Sequence, residues 1–188
     1  MTRFLYFAYG SNMLTERLLA RCPSAKPLGH AEARGMTVSY SLGSSDGSAK
    51  AGLQKAPGKT ARGVLFMIDL SERRALDLAE GAPDIYRRVE IEVFSDRTGH
   101  PSDAVTYLPN PERTANGLHP YAWYRALCAG GAKQHGLPDE VIAALRDGPV
   151  QKMPPPVRGK RAWRGRSLAH AALALAGMPI PPDEGLLP

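Results

Sequence analysis

The chain predicts an α+β fold built on a mostly antiparallel or mixed sheet. Five or six short segments have strand character, and helical segments are inserted between them. Strict strand–helix–strand alternation is absent, which argues against a doubly wound parallel sheet. The 188 residues suit one domain with a sizeable core plus an appendage.

The first strand is residues 4–8, Phe-Leu-Tyr-Phe-Ala, an apolar run too short for a helix and rich in β-formers. It meets Tyr9-Gly10-Ser11-Asn12, a turn in which Gly10 and Asn12 tolerate positive φ. From Thr15 the pattern is helical, with Leu14, Leu18 and Leu19 on one face. A strand ending in such a turn and feeding a helix gathers backbone N–H groups at one spot, which suits an anion. The plain alternative is a strand-to-helix turn capped by Ser11 or Asn12.

Cys22-Pro23-Ser24 stops the helix, and residues 27–40 read as strand, with Met36, Val38 and Tyr40 alternating. Residues 42–50, rich in Gly and Ser, read as a mobile loop. A weak strand over 51–54, a turn at Ala56-Pro57-Gly58-Lys59 and a buried strand over 62–68 follow. Ser71 is placed to cap a helix over 72–79, and Gly81 suits the left-handed position after it. Pro83-Asp84 turns the chain into residues 86–94, where Val89, Ile91 and Val93 alternate with Arg88, Glu90 and Glu92. Thr98-Gly99 is a hairpin tip, 103–108 a returning strand and 109–120 a long polar loop. Residues 121–134 are helical, weakened by Gly130-Gly131. Pro138 at the first helical position, with Asp139-Glu140 after it, starts a helix through 146. Pro154-Pro155-Pro156 is a stiff separator, 167–177 a helix, and Pro179, Pro181 and Pro182 end regular structure. The boundaries are therefore a domain over 1–153 and a proline-rich basic extension over 154–188.

The net charge of +6 is uneven: residues 151–188 carry +4 and residues 1–150 only +2. A nearly neutral main domain argues against a nucleic-acid-binding core. The basic stretch from Lys152 to Arg166, with Trp163 among it, is either a solvated connector or a dock for an anionic partner. No apolar run approaches the roughly 20 residues of a membrane span. Cys22 and Cys128 lack metal-ligand spacing and fit a reducing cytoplasm, and the five histidines are scattered, so no metal site is read. Phosphate-loop and dinucleotide motifs are absent.

Glu80 is the most informative acid. It ends a helix, where a carboxylate is disfavoured by about 0.3–1 kcal/mol, and Gly81 with Leu78-Ala79 allows it partial burial. Both conditions make a carboxylate a better proton acceptor. Tyr6, Tyr9, Tyr86, Tyr107 and Tyr124 fall at strand ends or on a helix, placed to pack a core or to line one polar pocket. Ser11 lacks the G-x-S-x-G elbow and an evident histidine base, which argues against a serine hydrolase.

Tyr9-Gly10-Ser11-Asn12, followed by Leu78-Ala79-Glu80-Gly81, resembles the γ-glutamylcyclotransferase family. Tyr86 with its Val-Glu-Ile-Glu-Val strand, and the stretch from Tyr124 through Cys128 to Pro138, are similar to that family in the same order. The likeness covers roughly residues 4–147, and the tail after Pro154 has no counterpart. It implies a small mixed β-barrel with helices around it and a cavity at one end. It implies that Tyr9, Gly10, Ser11 and Asn12 bind a γ-glutamyl group, that Glu80 is the general acid/base, and that Tyr124, and less specifically Tyr6, Tyr86 and Tyr107, contact substrate. The implied reaction needs no metal or cofactor: the substrate's own amine closes onto its γ-carbonyl, releasing 5-oxoproline. The family includes enzymes for γ-glutamyl amino acids, γ-glutamyl-ε-lysine and γ-glutamylated antibiotic intermediates, and the sequence does not choose among them. A binding protein that keeps the fold without turnover is the rival reading.

Overall fold

Five strands wrap into a closed barrel in the computed structural model, which describes residues 2–113, 115, 117–152 and 166–177. They are β1 (Arg3–Ala8), β2 (Lys26–Gly43), β3 (Ala49–Asp69), β4 (Tyr86–Ser95) and β5 (Pro101–Pro109), in the order β1-β3-β2-β4-β5. All pairings are antiparallel except the closing one, where β1 meets β5 in parallel at Tyr6 and Val105. The barrel is therefore mixed, as expected. Phe7, Leu53, Val64, Phe66, Ile68 and Leu76 are buried in one hydrophobic core shared by the barrel and the elements packed on it. Helices α1 (Thr15–Leu19), α2 (Arg73–Glu80), α3 (Ala122–Gln134), α4 (Asp139–Arg146) and α5 (Arg166–Ala176) surround it.

The sheet has fewer and longer strands than the sequence suggests. The weak strand, the turn at 56–59 and the strand after it all belong to β3. The turn survives as a bulge: pairing jumps from Arg34↔Thr60 to Met36↔Lys55, so Gly35 stands opposite four residues of β3. Gly35 and Gly58 take φ of +70° and +79° there, a conformation that favours glycine. The segment expected as a mobile loop is a tight hairpin turn. Ser44 N–H bonds to the Ser48 carbonyl, and the Asp46 carboxylate accepts from Ser48 N–H at 3.0 Å and Lys50 Nζ at 2.7 Å. Glycine and serine content signalled a turn but not the Asp46 side chain that ties it.

The helices correct the reading in detail. Leu14 and Leu18 are buried, but Leu19 is exposed. Ser71 makes no cap: residues 70–72 form a 3-10 turn leading into α2. Pro138 stands just before α4 rather than within its first turn. Gly81 is left-handed, at φ 65° and ψ 34°, as expected after α2. The separator at 154–156 and the basic residues Arg158 to Arg164 lie outside the described residues.

Gly130 and Gly131 have a packing role that propensity hides. A Cβ on Gly131 would lie 2.4 Å from Leu14 N, and one on Gly130 would lie 3.0 Å from the Ala172 carbonyl oxygen. One glycine lets α3 touch the turn after β1, and the next lets it touch α5. Leu173 of α5 is buried with Leu14, Ala126, Leu127 and Ala172.

Glycine in a helix interior costs about 0.8–1 kcal/mol relative to alanine, so propensity alone says that Gly131→Ala stabilises. The contact with Leu14 reverses the sign. We expect Gly131→Ala to destabilise the chain by about 1–3 kcal/mol, the usual cost of overpacking. Urea unfolding followed by circular dichroism measures it, and an unchanged or raised midpoint would refute the close-contact account.

Candidate active site

β1 ends at Ala8, Tyr9 and Gly10 follow, and Ser11–Met13 form one 3-10 turn. Met13 is fully buried and pins this turn against α3. Gly10 has φ −129°, so positive φ is not what its position needs. Its need is space: a Cβ there would stand 3.1 Å from Ala51 Cβ and 3.8 Å from Tyr124 Oη.

Neither Ser11 nor Asn12 caps a helix by its side chain. Ser11 Oγ accepts from Arg17 Nε at 3.1 Å. Asn12 Nδ2 donates to Tyr6 Oη at 3.0 Å and to Glu80 Oε1 at 2.7 Å. Asn12 Oδ1 accepts from Arg21 Nη1 at 2.8 Å. The turn thus spends its polar side chains on side-chain partners around a cleft instead of on helix ends.

Glu80 enters from the far side, as the last residue of α2. The chain leaves through left-handed Gly81, whose N–H and that of Ala82 bond back to Leu78 and Asp77 carbonyls. Glu80 Oε1 accepts a second hydrogen bond, from Arg21 Nη1 at 2.7 Å. Among the described residues, no donor reaches Oε2. The side chain is 14% exposed. The expected source of that burial was wrong, since Leu78 is 71% exposed. Asn12, Tyr6 and Arg21 shelter the carboxylate instead.

The tyrosines divide the remaining wall between them. Tyr6 packs edge-on against Tyr107, with ring centroids 6.0 Å apart. Tyr9 donates its hydroxyl to the Tyr107 carbonyl, and Tyr107 Oη donates to Asp77 Oδ1 at 2.8 Å. Tyr86 Oη donates to the Ala51 carbonyl at 2.7 Å, while Ala51 N–H donates to Tyr124 Oη at 3.2 Å. Two phenols therefore grip the backbone of β3 on either side of one residue, Ala51.

Tyr6, Tyr9, Gly10, Ser11, Asn12, Glu80, Tyr86, Tyr107 and Tyr124 line a single small cleft, together with Ala51. Every residue singled out in the sequence reaches it. Burial raises the pKa of each of these phenols, with the Glu80 charge adding to it, so they stand as neutral O–H groups. For Tyr107 the hydrogen bond to Asp77 ranks between those causes.

Arg17, Arg21 and Ala51 were not foreseen. The only trace of the arginines in the sequence is their spacing of one helical turn directly after the Ser-Asn turn. Desolvation lowers the Arg17 pKa, and Arg21 nearby adds to it. Cys22 and Cys128 are free and buried, with burial pushing their thiols up to about 11 and about 12, which makes both poor nucleophiles. Among the described residues no three His, Cys, Asp or Glu side chains are grouped to hold a metal ion, and no helix is long and apolar enough to cross a membrane.

Residues 61–145 match the family model described as the AIG2-like family. The mouse γ-glutamylcyclotransferase is 34% identical over 151 residues, covering 76% of this chain and 77% of its own. The human γ-glutamylcyclotransferase is 32% identical over the same length, with the same coverage. A solved structure of a γ-glutamyl cyclotransferase superposes with a TM-score of 0.75 at 26% identity, over 90% of this chain and 99% of that one. With that cleft, that barrel and relatives matched along three quarters of its length, the chain belongs to the γ-glutamylcyclotransferase family of enzymes.

Proposed function

We propose that this chain cyclises a γ-glutamyl amino acid or amine, releasing 5-oxoproline and the free amino acid or amine, with Glu80 as general acid/base. The observation that carries the reading is the Glu80 carboxylate: anchored through Oε1, open at Oε2, and enclosed with five phenols and the Tyr9–Asn12 turn. Family membership supports it.

The substrate brings an α-ammonium, an α-carboxylate and a γ-amide. Glu80 Oε2 takes one proton from the ammonium. The freed amine attacks the γ-carbonyl carbon of the same molecule, forming the ring C–N bond and an oxyanion. The oxyanion collapses, the original amide C–N bond breaks as Glu80 returns its proton to the leaving nitrogen, and the second proton of the ring nitrogen follows through the same carboxylate, so the amine leaves as an ammonium and the ring keeps one N–H. No water is consumed and no redox change occurs. The nucleophile is already tethered to its target, so the entropy of bringing two reactants together is largely absent. Polar groups of the turn and the neutral phenols are suited to hold the substrate carboxylate and the developing oxyanion. Ser11 needs no covalent role in this scheme.

The domain is taken as residues 1–153, with 154–188 as an extension working in the same reducing cytoplasm. The closing strand ends at Pro109, and the last cleft residue is Tyr124. A chain ending at Met153 is expected to stay folded and keep its turnover. Its unfolding midpoint should fall, because Leu14 and Leu127 lose their cover from Leu173. Loss of the barrel's circular dichroism signal on truncation would show that the extension belongs to the core.

The direct test is 5-oxoproline release from a panel of γ-glutamyl compounds. Glu80→Gln keeps size and one acceptor oxygen but takes up no proton, and it should lower release by at least about 10²-fold while γ-glutamyl-alanine still binds by calorimetry. A substrate acetylated on its α-amine should be inert. Turnover by Glu80→Gln near the wild-type rate would remove Glu80 from the chemistry. Turnover of the acetylated substrate would replace cyclisation by hydrolysis, and binding without any release would leave a carrier.

A further inference from the structure

Arg21 sits just beyond α1, and its backbone is held from both sides. Its N–H and that of Cys22 bond to the Leu18 carbonyl, and Leu18 and Cys22 are fully buried. From this fixed point a single nitrogen, Nη1, reaches Asn12 Oδ1 at 2.8 Å and Glu80 Oε1 at 2.7 Å. The Arg21 and Glu80 side chains are 21% and 14% exposed, so solvent screens the pair less than it would a surface ion pair.

We infer that Arg21 is a positioning residue for the proposed cyclisation, clamping Glu80 by one carboxylate oxygen so that the other is presented to the substrate ammonium. The inference rests on the acid/base reading of Glu80 given above. A glutamate's terminal torsion is broad and nearly two-fold, so an unclamped carboxylate exchanges its two oxygens freely. Here both donors, Arg21 and Asn12, fall on Oε1. The proton taken from substrate then goes to Oε2. Oε1 still accepts from Arg21 and Asn12 after the carboxyl is neutralised, so the group keeps its orientation through both proton transfers. A guanidinium suits the task because its planar fork fixes direction as well as charge. A plain structural alternative exists, since a cation after a helix C-terminus stabilises it by about 0.3–1 kcal/mol. That role acts on stability and leaves turnover by the folded enzyme untouched.

The two roles separate in kinetics with γ-glutamyl-alanine. Arg21→Met keeps much of the length and removes both bonds and the charge. It is expected to lower kcat about 10²-fold, the scale of loss when a reacting group is misplaced by about 1 Å. KM and the Kd for 5-oxoproline should stay within about threefold, because the lost interaction matters in the transition state and not in ground-state binding. Arg21→Lys restores a charged donor and should recover at least about tenfold in kcat. Should Arg21→Met not fold, Arg21→Gln, which retains an uncharged donor, is expected to show a loss of about tenfold or more in kcat at unchanged KM. Wild-type kcat in Arg21→Met, a loss confined to KM, or Arg21→Lys no better than Arg21→Met would each overturn the inference. If the wild-type chain releases no 5-oxoproline, the reading of Glu80 itself fails. Wild-type release with an indifferent Arg21→Met sinks only the positioning role.

Discussion

Three pieces of chain meet at one carboxylate oxygen. An amide from the turn after β1 and a guanidinium from beyond α1 both donate to Glu80 Oε1 at the end of α2. Asn12 and Glu80 are 68 residues apart, so this junction fixes how the segment before the long β2–β3 hairpin meets the segment after it. A partly buried carboxylate left without partners is costly, and an unpaired guanidinium beside it equally so. Each therefore constrains where the other is placed. Tyr6 joins through Asn12, and Tyr107 through Tyr6, so the phenolic wall inherits its position from the same contact.

Close backbone approach is the second constraint. The turn that lines the cleft is backed directly by α3, with room for only a hydrogen at Gly131, and Gly10 leaves space against Ala51. The floor of the cleft is thus main chain against main chain, which is stiffer than a floor of side chains. Ala51 contributes no chemistry of its own. The peptide groups on either side of it are held by Tyr124 and Tyr86, which sets the distance between opposite walls.

Much of this was legible because it is local. The first strand, the turn at Tyr9 to Asn12, the end of α2 and the amphipathic β4 are each written in a few consecutive residues. The gathering of Glu80 with five tyrosines was accessible through likeness to a family, not through spacing. Where the reading failed, contacts distant in sequence overrode local preference. Gly130 and Gly131 looked like helix weakeners until their neighbours Ala172 and Leu14 were in view. Ser71 looked like a cap, but the 3-10 turn over 70–72 leads into α2 and needs none. Arg21 was not foreseen, because nothing near it in sequence names a carboxylate on another helix. The Pro57-Gly58 turn in β3 was real, yet pairing resumed on both sides of it and made one strand from two.

All seven tyrosines of the chain have their phenolic pKa raised, with burial as the largest cause. The unfolded chain ionises them near pH 10, so above that pH the folded state binds more protons than the unfolded one. The stability linked to these groups is whole below about pH 10 and drains away as alkali carries the solution toward the folded-state values. Tyrosinate absorbance therefore rises at a higher pH in the folded chain than in the unfolded one, and an alkaline titration reads out how well the phenols are enclosed without any substrate.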